Sequence, residues 1–306
     1  MQNRHQNNMI TCDPGQLRNW VKFIAEDIGP RPWSKPQKLK HLASKIRQHL
    51  LDLGYAAEFQ QFFYKQNEYF NIVACAKGQD PLGQAPFPIL IVGAHYDSVS
   101  HTPGADDNAS AVAGLLEIAR ILAAHPPAAL RMVWFCLEEP PTYRTSNMGS
   151  YYYAKFLKNI KQTLTGMICL EMIGFFSDRP GSQKFPLPFM DRLYPSTGNF
   201  IAIVGNTKSK PFTMDVKNAF TKGTNLPCET LNAPCLVVGI DFSDHWSFYK
   251  MGYKAVMVTD TAFYRNPHYH RPTDLPSTLD YDRSAQVVDG VVSVILELTD
   301  PRSPRR

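Results

Sequence analysis

Three apolar runs of this chain each lead into side chains that apolar surroundings reject. "ILIVGAHYD" reaches His95, "MVWFCLEE" reaches Glu138 and Glu139, and "MICLEMIG" holds Glu171 in its middle. Unbroken apolar runs of this length suit strands covered on both faces, the pattern of a parallel sheet between layers of helix. Such sheets gather reactive groups at the carboxyl ends of their strands, so the three runs bring their polar residues together in space although they are distant in sequence. A carboxylate set among apolar residues is driven to neutralise unless it is paired or bound to a metal.

The rest of the chain fits the same architecture. Leu17, Trp20, Val21, Ile24 and Ile28 recur at helical spacing, a second helical pattern fills "KLKHLASKIRQHLLDLG", and each stops at a glycine. β-type runs follow in "YFNIVACAKG" and "FPILIVGAH". A helix in "NASAVAGLLEIARILAAH" then presents Val112, Leu115, Leu116, Ala119 and Leu122 on one face, with Asp107 or Asn108 expected as its N-cap. "GSYYYAKFLKNI" and "MDVKNAF" are helix-like, "FIAIVG" and "KAVMVTD" strand-like, and "SAQVVDGVVSVILELT" closes the alternation. The fold class expected is α/β: a three-layer α/β/α arrangement around a mostly parallel sheet. At 306 residues the chain is read as one catalytic domain over 1–306, with frayed tails at about 1–15 and 300–306. Residues 175–199, rich in proline, glycine and aromatics, form a candidate lid loop.

Composition narrows the function classes. A net charge of +5, with basic residues clustered only in the terminal "PRSPRR", gives no stripe for nucleic acid. No apolar run approaches the roughly 18 residues of a membrane span, and the opening "MQNRHQNNMITCDPGQ" has no apolar signal core, so a cytoplasmic protein is expected. Cys75, Cys136 and Cys169 sit in apolar segments as core residues, while Cys228 and Cys235 are close enough in sequence to close a small loop, with two reduced thiols the preferred state.

Asp107 and His270 extend the polar set. The first lies at the start of the helix after "ILIVGAHYD", on the same rim, and the second follows "KAVMVTD" in "NPHYHRPTD". Each residue alone has an ordinary explanation as a loop or cap residue, but two histidines and several carboxylates on one rim favour a metal site. Imidazole and carboxylate without cysteine suit zinc, with manganese or cobalt as alternatives. The set exceeds what one tetrahedral ion takes and divides between two ions if one carboxylate bridges; a bridging hydroxide then balances the charge and serves as nucleophile. Consecutive glutamates leaving a strand point in opposite directions, so one of Glu138 and Glu139 can bind metal while the other acts as general base.

With these residues assembled, the chain resembles the zinc-dependent exopeptidase family of bacterial leucyl aminopeptidases and aminopeptidase Y, of which glutaminyl cyclases are a divergent branch. "GAHYDS", "PGADDNASA", "EEPP", "LEMIG", "SDHWSFYKMGYKA" and "NPHYHRPTD" occur in the family's order, and with "IGPRP" the resemblance covers about residues 17–298. It implies a phosphorylase/hydrolase-like zinc exopeptidase architecture. By position, His95 and Glu171 are terminal ligands of one zinc, Glu139 and His270 those of the other, and Asp107, fourth residue of the motif beginning at Gly104, is the bridge. Glu138 becomes the general base, Asp97 the partner that orients His95, and Asp244 and His245 stand near the substrate cleft. His268 competes with His270, which motif position favours. Glu171 stands where aspartate is frequent, and Ala111 where glycine is. The activity implied is a di-zinc aminopeptidase acting on peptides. The alternative, a single-zinc glutaminyl-peptide cyclotransferase, is opposed by Tyr269 in place of the cyclases' tryptophan and by Glu171 in place of their aspartate. A non-enzymatic binding module on a retired peptidase fold predicts missing ligands, and none is missing.

Overall fold

A computed structural model describes residues 11–302. Helices α1 (Pro14–Lys22) and α2 (Pro36–Asp52) precede a hairpin of β1 (Ala56–Tyr64) and β2 (Asn67–Cys75). Strands and helices then alternate through β3 (Ile89–His95), α3 (Ala111–Leu122), β4 (Leu130–Phe135), α4 (Gly149–Asn159), β5 (Leu164–Glu171) and β6 (Ile201–Asn206). The chain continues through α5 (Lys210–Gly223), β7 (Cys228–Ala233), α6 (His245–Lys250), β8 (Ala255–Thr259) and α7 (Tyr281–Thr299). Among the described residues the strands form one sheet in the order β1-β2-β4-β3-β5-β8-β6-β7. Its centre, β4-β3-β5-β8, is parallel, and the sheet turns antiparallel where β2 meets β4 and where β6 meets β8.

Strand alternation sorts the core into two layers. Leu90, Val92, Met132, Trp134, Ile168, Leu170, Val256 and Val258 pack with α1, α2, α3, α5 and α7 on one face. Ile91, Val133, Phe135, Met167, Cys169, Val204 and Met257 pack with α4 and α6 on the other. This is the three-layer arrangement expected from the sequence, with both faces of the central strands dry. Three elements go unread in the sequence. β1, "AAEFQQFFY", is an edge strand whose polar residues interrupt the apolar pattern, β7 is the opposite edge, and α6 is a short helix within the "SDH" segment.

The expected cap of α3 is corrected. Neither Asp107 nor Asn108 caps it: the N-cap is Ser110, and its hydroxyl donates to Asp106 O at 2.7 Å. Asn108 is occupied elsewhere, donating from Nδ2 to Leu170 O at 3.1 Å and accepting from Met172 N at 2.9 Å, which ties the start of α3 to the end of β5. The cysteine pair resolves too. β7 extends from Cys228 to Ala233, which at strand rise separates those Cα atoms by about 17 Å, so Cys235 two residues later cannot approach the roughly 7 Å limit of a disulfide. Both thiols are free, Cys228 buried and Cys235 exposed.

Of the expected tails, residues 1–10 and 303–306 lie outside the described residues, while Asp13 caps α1 and Cys12 is buried. Residues 175–199 hold only one short 3₁₀ turn, Met190–Arg192. Among the described residues no helix is long and apolar enough to cross a membrane.

Arg31 locks the rim where the central strands end. Fully buried, it donates from Nε to Tyr96 O (2.7 Å), from Nη1 to Pro103 O (2.6 Å) and from Nη2 to Gly104 O (3.0 Å). These bonds clamp the loop after β3 to the turn before α3. Gly104 has φ +63°, and a Cβ there would strike Asp107 O and crowd the Arg31 guanidinium, so only glycine fits this turn. Lysine has one ammonium where Arg31 has a fork of donors. Arg31→Lys is therefore expected to cost about 3 kcal/mol through lost charge-assisted hydrogen bonds, read as a lower urea midpoint at unchanged slope. A midpoint equal to wild type would contradict the clamp.

Candidate metal centre

His95 is the last residue of β3 and Glu171 the last of β5. Gly93 pairs with Cys169 in the parallel ladder, so two residues further on His95 and Glu171 stand side by side on one face. His95 Nε2 lies 3.3 Å from Glu171 Oε2 and 3.5 Å from Asp107 Oδ1. The other oxygen of Asp107 faces a second group: His270 Nε2 is 3.1 Å from Asp107 Oδ2 and 3.3 Å from Glu139 Oε2. His95–Asp107–Glu171 and Asp107–Glu139–His270 thus form two triads of ligand-type atoms, each mutually within 4.8 Å, that share Asp107.

Glu138 points to the first triad, its Oε2 3.9 Å from His95 Nε2, while Glu139 belongs to the second. The opposite senses of the two side chains follow from their consecutive positions. Asp97 fixes that pair. Its Oδ1 and Oδ2 accept the backbone N–H groups of Glu138 and Glu139, both at 3.1 Å, and its Oδ1 faces His95 Nδ1 at 3.5 Å. One carboxylate therefore sets the direction of two loops.

The donor set suits cations better than it suits itself. His270 Nε2 is buried without a hydrogen bond although oxygens of Asp107 and Glu139 lie within 3.3 Å, and Glu139 Oε1 is buried without a donor. Such contacts are close but not aligned as donor–acceptor pairs, as befits ligands turned toward a common ion. Burial pushes Glu138 well above the usual carboxylate range and Glu139 to about 7, and like charges nearby add to both shifts. Burial acts the opposite way on the imidazoles, but the facing carboxylates outweigh it: Glu171, Asp107 and Asp97 hold His95 well above its ordinary value, and Asp107 and Glu139 raise His270 to about 10. Asp107 departs from the other acids; burial pushes it up, yet the two imidazoles hold it below the usual range. Without a metal, protons on the histidines neutralise the carboxylates.

His268 lies apart, its Nδ1 2.9 Å from Thr273 Oγ1, whereas His270 enters the triad. Asp244 is buried with both carboxylate oxygens unpartnered, and His245 meets Ile240 O at 2.8 Å through Nε2. Residues that sequence reasoning missed support the ligand-type groups. Ser243 donates to Glu171 Oε2 at 2.6 Å, and Asp274 accepts from Asp106 N and Asp107 N at 2.9 and 3.2 Å. Both lie in segments quoted for the resemblance, but nothing in sequence says where their side chains point. Leu137 and Met172, each next to a candidate carboxylate, and His270 itself have positive φ.

An apolar pocket opens beside this centre. Glu171 and Tyr269 border it, and Phe200, Val204, Ile240, Phe242 and Met257 are among its walls. Tyr269 stacks on His270 with ring centroids 3.8 Å apart and so joins pocket to centre.

Comparison with known proteins bears on the family and the fold. The model of peptidase family M28 matches residues 71–295. The Escherichia coli (strain K12) protein YfbL is 40% identical over 293 residues, covering 93% of this chain and 88% of that one. Leucine aminopeptidase 1 of Trichophyton equinum is 28% identical over 244 residues, 74% of this chain but only 57% of that protein. Among solved structures, the zinc aminopeptidase BSAP of Bacillus subtilis aligns with a TM-score of 0.73 at 14% identity, covering 95% of this chain and 96% of that one. Bacteroides thetaiotaomicron glutaminyl cyclase aligns at 0.66 and 18% identity, covering 94% and 99%. Both structural likenesses establish the fold, and the extent of the family match establishes the lineage: the chain belongs to peptidase family M28.

Proposed function

We propose that the protein is a di-zinc aminopeptidase that hydrolyses the N-terminal peptide bond of peptides. The observation that carries this reading is the pair of triads sharing Asp107, with Glu138 beside them and an apolar pocket at their edge. His95 and Glu171 would hold one ion, Glu139 and His270 the other, with Asp107 between them. When bound, such a pair polarises the scissile carbonyl and makes water acidic enough to attack near neutral pH.

The chain's own groups do the rest. Glu138 takes the proton of the attacking water at its carboxylate and passes it to the departing amine, so each turnover leaves it as it began. Asp97 is a positioning residue: by accepting from the backbone of Glu138 and Glu139 it aims base and ligand apart, and by facing His95 Nδ1 it sets the imidazole that presents Nε2. Glu171 is the one triad member that borders the pocket, so a substrate's free amine meets Glu171 while its side chain enters the pocket. The segment 175–199 supplies Phe185, Pro186, Met190 and Tyr194 to the outer wall and is read as the pocket's cover. Two complete triads support two ions, against the single zinc of the glutaminyl cyclase alternative.

Glu138→Gln keeps the shape and metal content and removes the base. Its turnover on peptides with a free amino terminus is expected to fall by about 10³ at unchanged zinc per chain, measured by product mass and metal analysis. Wild-type protein that held zinc and cleaved none of a broad panel of aminoacyl peptides, or that shortened them from the carboxyl end, would defeat the proposal.

A pH dependence follows from the raised groups. His95, His270, Glu138 and Glu139 bind protons more tightly folded than unfolded, so their contribution is complete below the ordinary values and is lost as pH rises toward about 10; Asp107 alone acts in the reverse sense, at acid pH. Chelator-treated protein is therefore expected to melt at progressively lower temperature between pH 6 and 9, and added zinc, which displaces those protons, to raise Tm more as pH rises. A zinc-induced rise in Tm that was the same at every pH would contradict this charge balance.

A further inference from the structure

The floor of the pocket is one row of side chains across the sheet. Glu171 of β5 pairs with Thr259 of β8, Thr259 with Ala202 of β6, and Ala202 with Glu229 of β7. Directly paired residues project from the same face, and all four line the pocket. The neighbouring row, Cys169, Met257, Val204 and Leu231, is apolar. The trough therefore has an apolar floor and a carboxylate at each end.

The two carboxylates differ in their partners. Glu171 is engaged by Ser243 and His95. Glu229 accepts at its backbone carbonyl from Cys228 Sγ, but its carboxylate has no hydrogen bond or ion pair among the described residues. Lys184, the cation in the lining, is exposed and donates from Nζ to Gly181 O at 3.1 Å. Tyr194 stands close by, its hydroxyl on Thr230 O at 3.1 Å and its phenol pushed up by burial and then by the charge of Glu229.

Length decides what fits between the two ends. Three inter-strand steps place the Cα of Glu229 about 14 Å from that of Glu171, and their side chains, projecting from the same face, keep a similar spacing. An α-amine in contact with Glu171, the N–Cα bond, a fully extended lysine stem and a second charge-assisted contact together span about 13 Å. A leucine side chain ends far short and leaves Glu229 untouched. We infer that the trough is a specificity pocket for a basic side chain, and that the preferred substrates are peptides beginning with lysine or arginine. The methylenes of such a residue lie along Met257, Val204 and Leu231 while its charged end meets Glu229. This inference rests on the aminopeptidase reading and sharpens it.

The test compares kcat/KM for lysyl, arginyl and leucyl p-nitroanilides in wild type and in Glu229→Gln. The wild type is expected to prefer the basic substrates, and the substitution to lower the Lys-to-Leu and Arg-to-Leu ratios by about 10- to 100-fold, the size of a lost charge-assisted contact. Wild type that prefers leucine, or ratios unchanged in Glu229→Gln, overturns the inference while leaving the aminopeptidase reading intact. Wild type that hydrolyses none of the three overturns both.

Discussion

Carboxylates buried against one another are the constraint on which this structure turns. Asp97, Asp107, Glu138, Glu139, Glu171 and Asp244 are each no more than 6% exposed, and they gather at one rim beside the buried guanidinium of Arg31. Such a cluster repels itself and is poorly solvated, so it persists only if cations sit among its members. Protonated imidazoles supply part of the charge in the metal-free chain. Two divalent ions at the proposed centre would supply it in full, and binding would then stabilise the fold as well as equip it for hydrolysis.

The sheet solves the problem of placing those groups. Parallel strands end together, so β3 and β5 deliver His95 and Glu171 side by side, and the loop after β4 adds the glutamate pair. Asp107 arrives from a different direction, on a turn that Arg31 holds from below and Asp274 from above. Because the turn is fastened to the strand ends through Gly104 and Asn108, distances within the centre depend on residues that take no part in its chemistry. The same sheet extends past the centre on β8, β6 and β7 to make the pocket floor, so the candidate centre and the pocket share one surface.

Much of this was legible in the sequence. The central strands announce themselves by unbroken apolar runs, and a charged residue at the end of such a run is hard to explain except as part of a site. His95, Glu138, Glu139 and Glu171 belong on one rim for that reason, Asp107 and His270 join them by their places after the apolar runs, and the family resemblance adds only which role each takes. The edges were less readable. β1 is interrupted by polar residues because one side of an edge strand meets water, and β7, the opposite edge, is broken in the same way by Glu229 and Asn232. An acid before a helix usually caps it, which is why Asp107 or Asn108 is the expected cap; the actual arrangement depends on Asp274 holding the backbone N–H groups of Asp106 and Asp107, and on Asn108 and Ser110 tying the turn to the end of β5. The Glu171–Glu229 trough was invisible because it exists only in the register of four strands, which no periodicity encodes.

The claim beneath the rest is that Asp107 lies between two cations. Anomalous scattering at the zinc edge, from crystals of protein equilibrated with zinc, measures it most directly. The account predicts two peaks per chain on either side of the Asp107 carboxylate, one touched by His95 and Glu171 and the other by Glu139 and His270. A single peak, or peaks remote from Asp107, would contradict it.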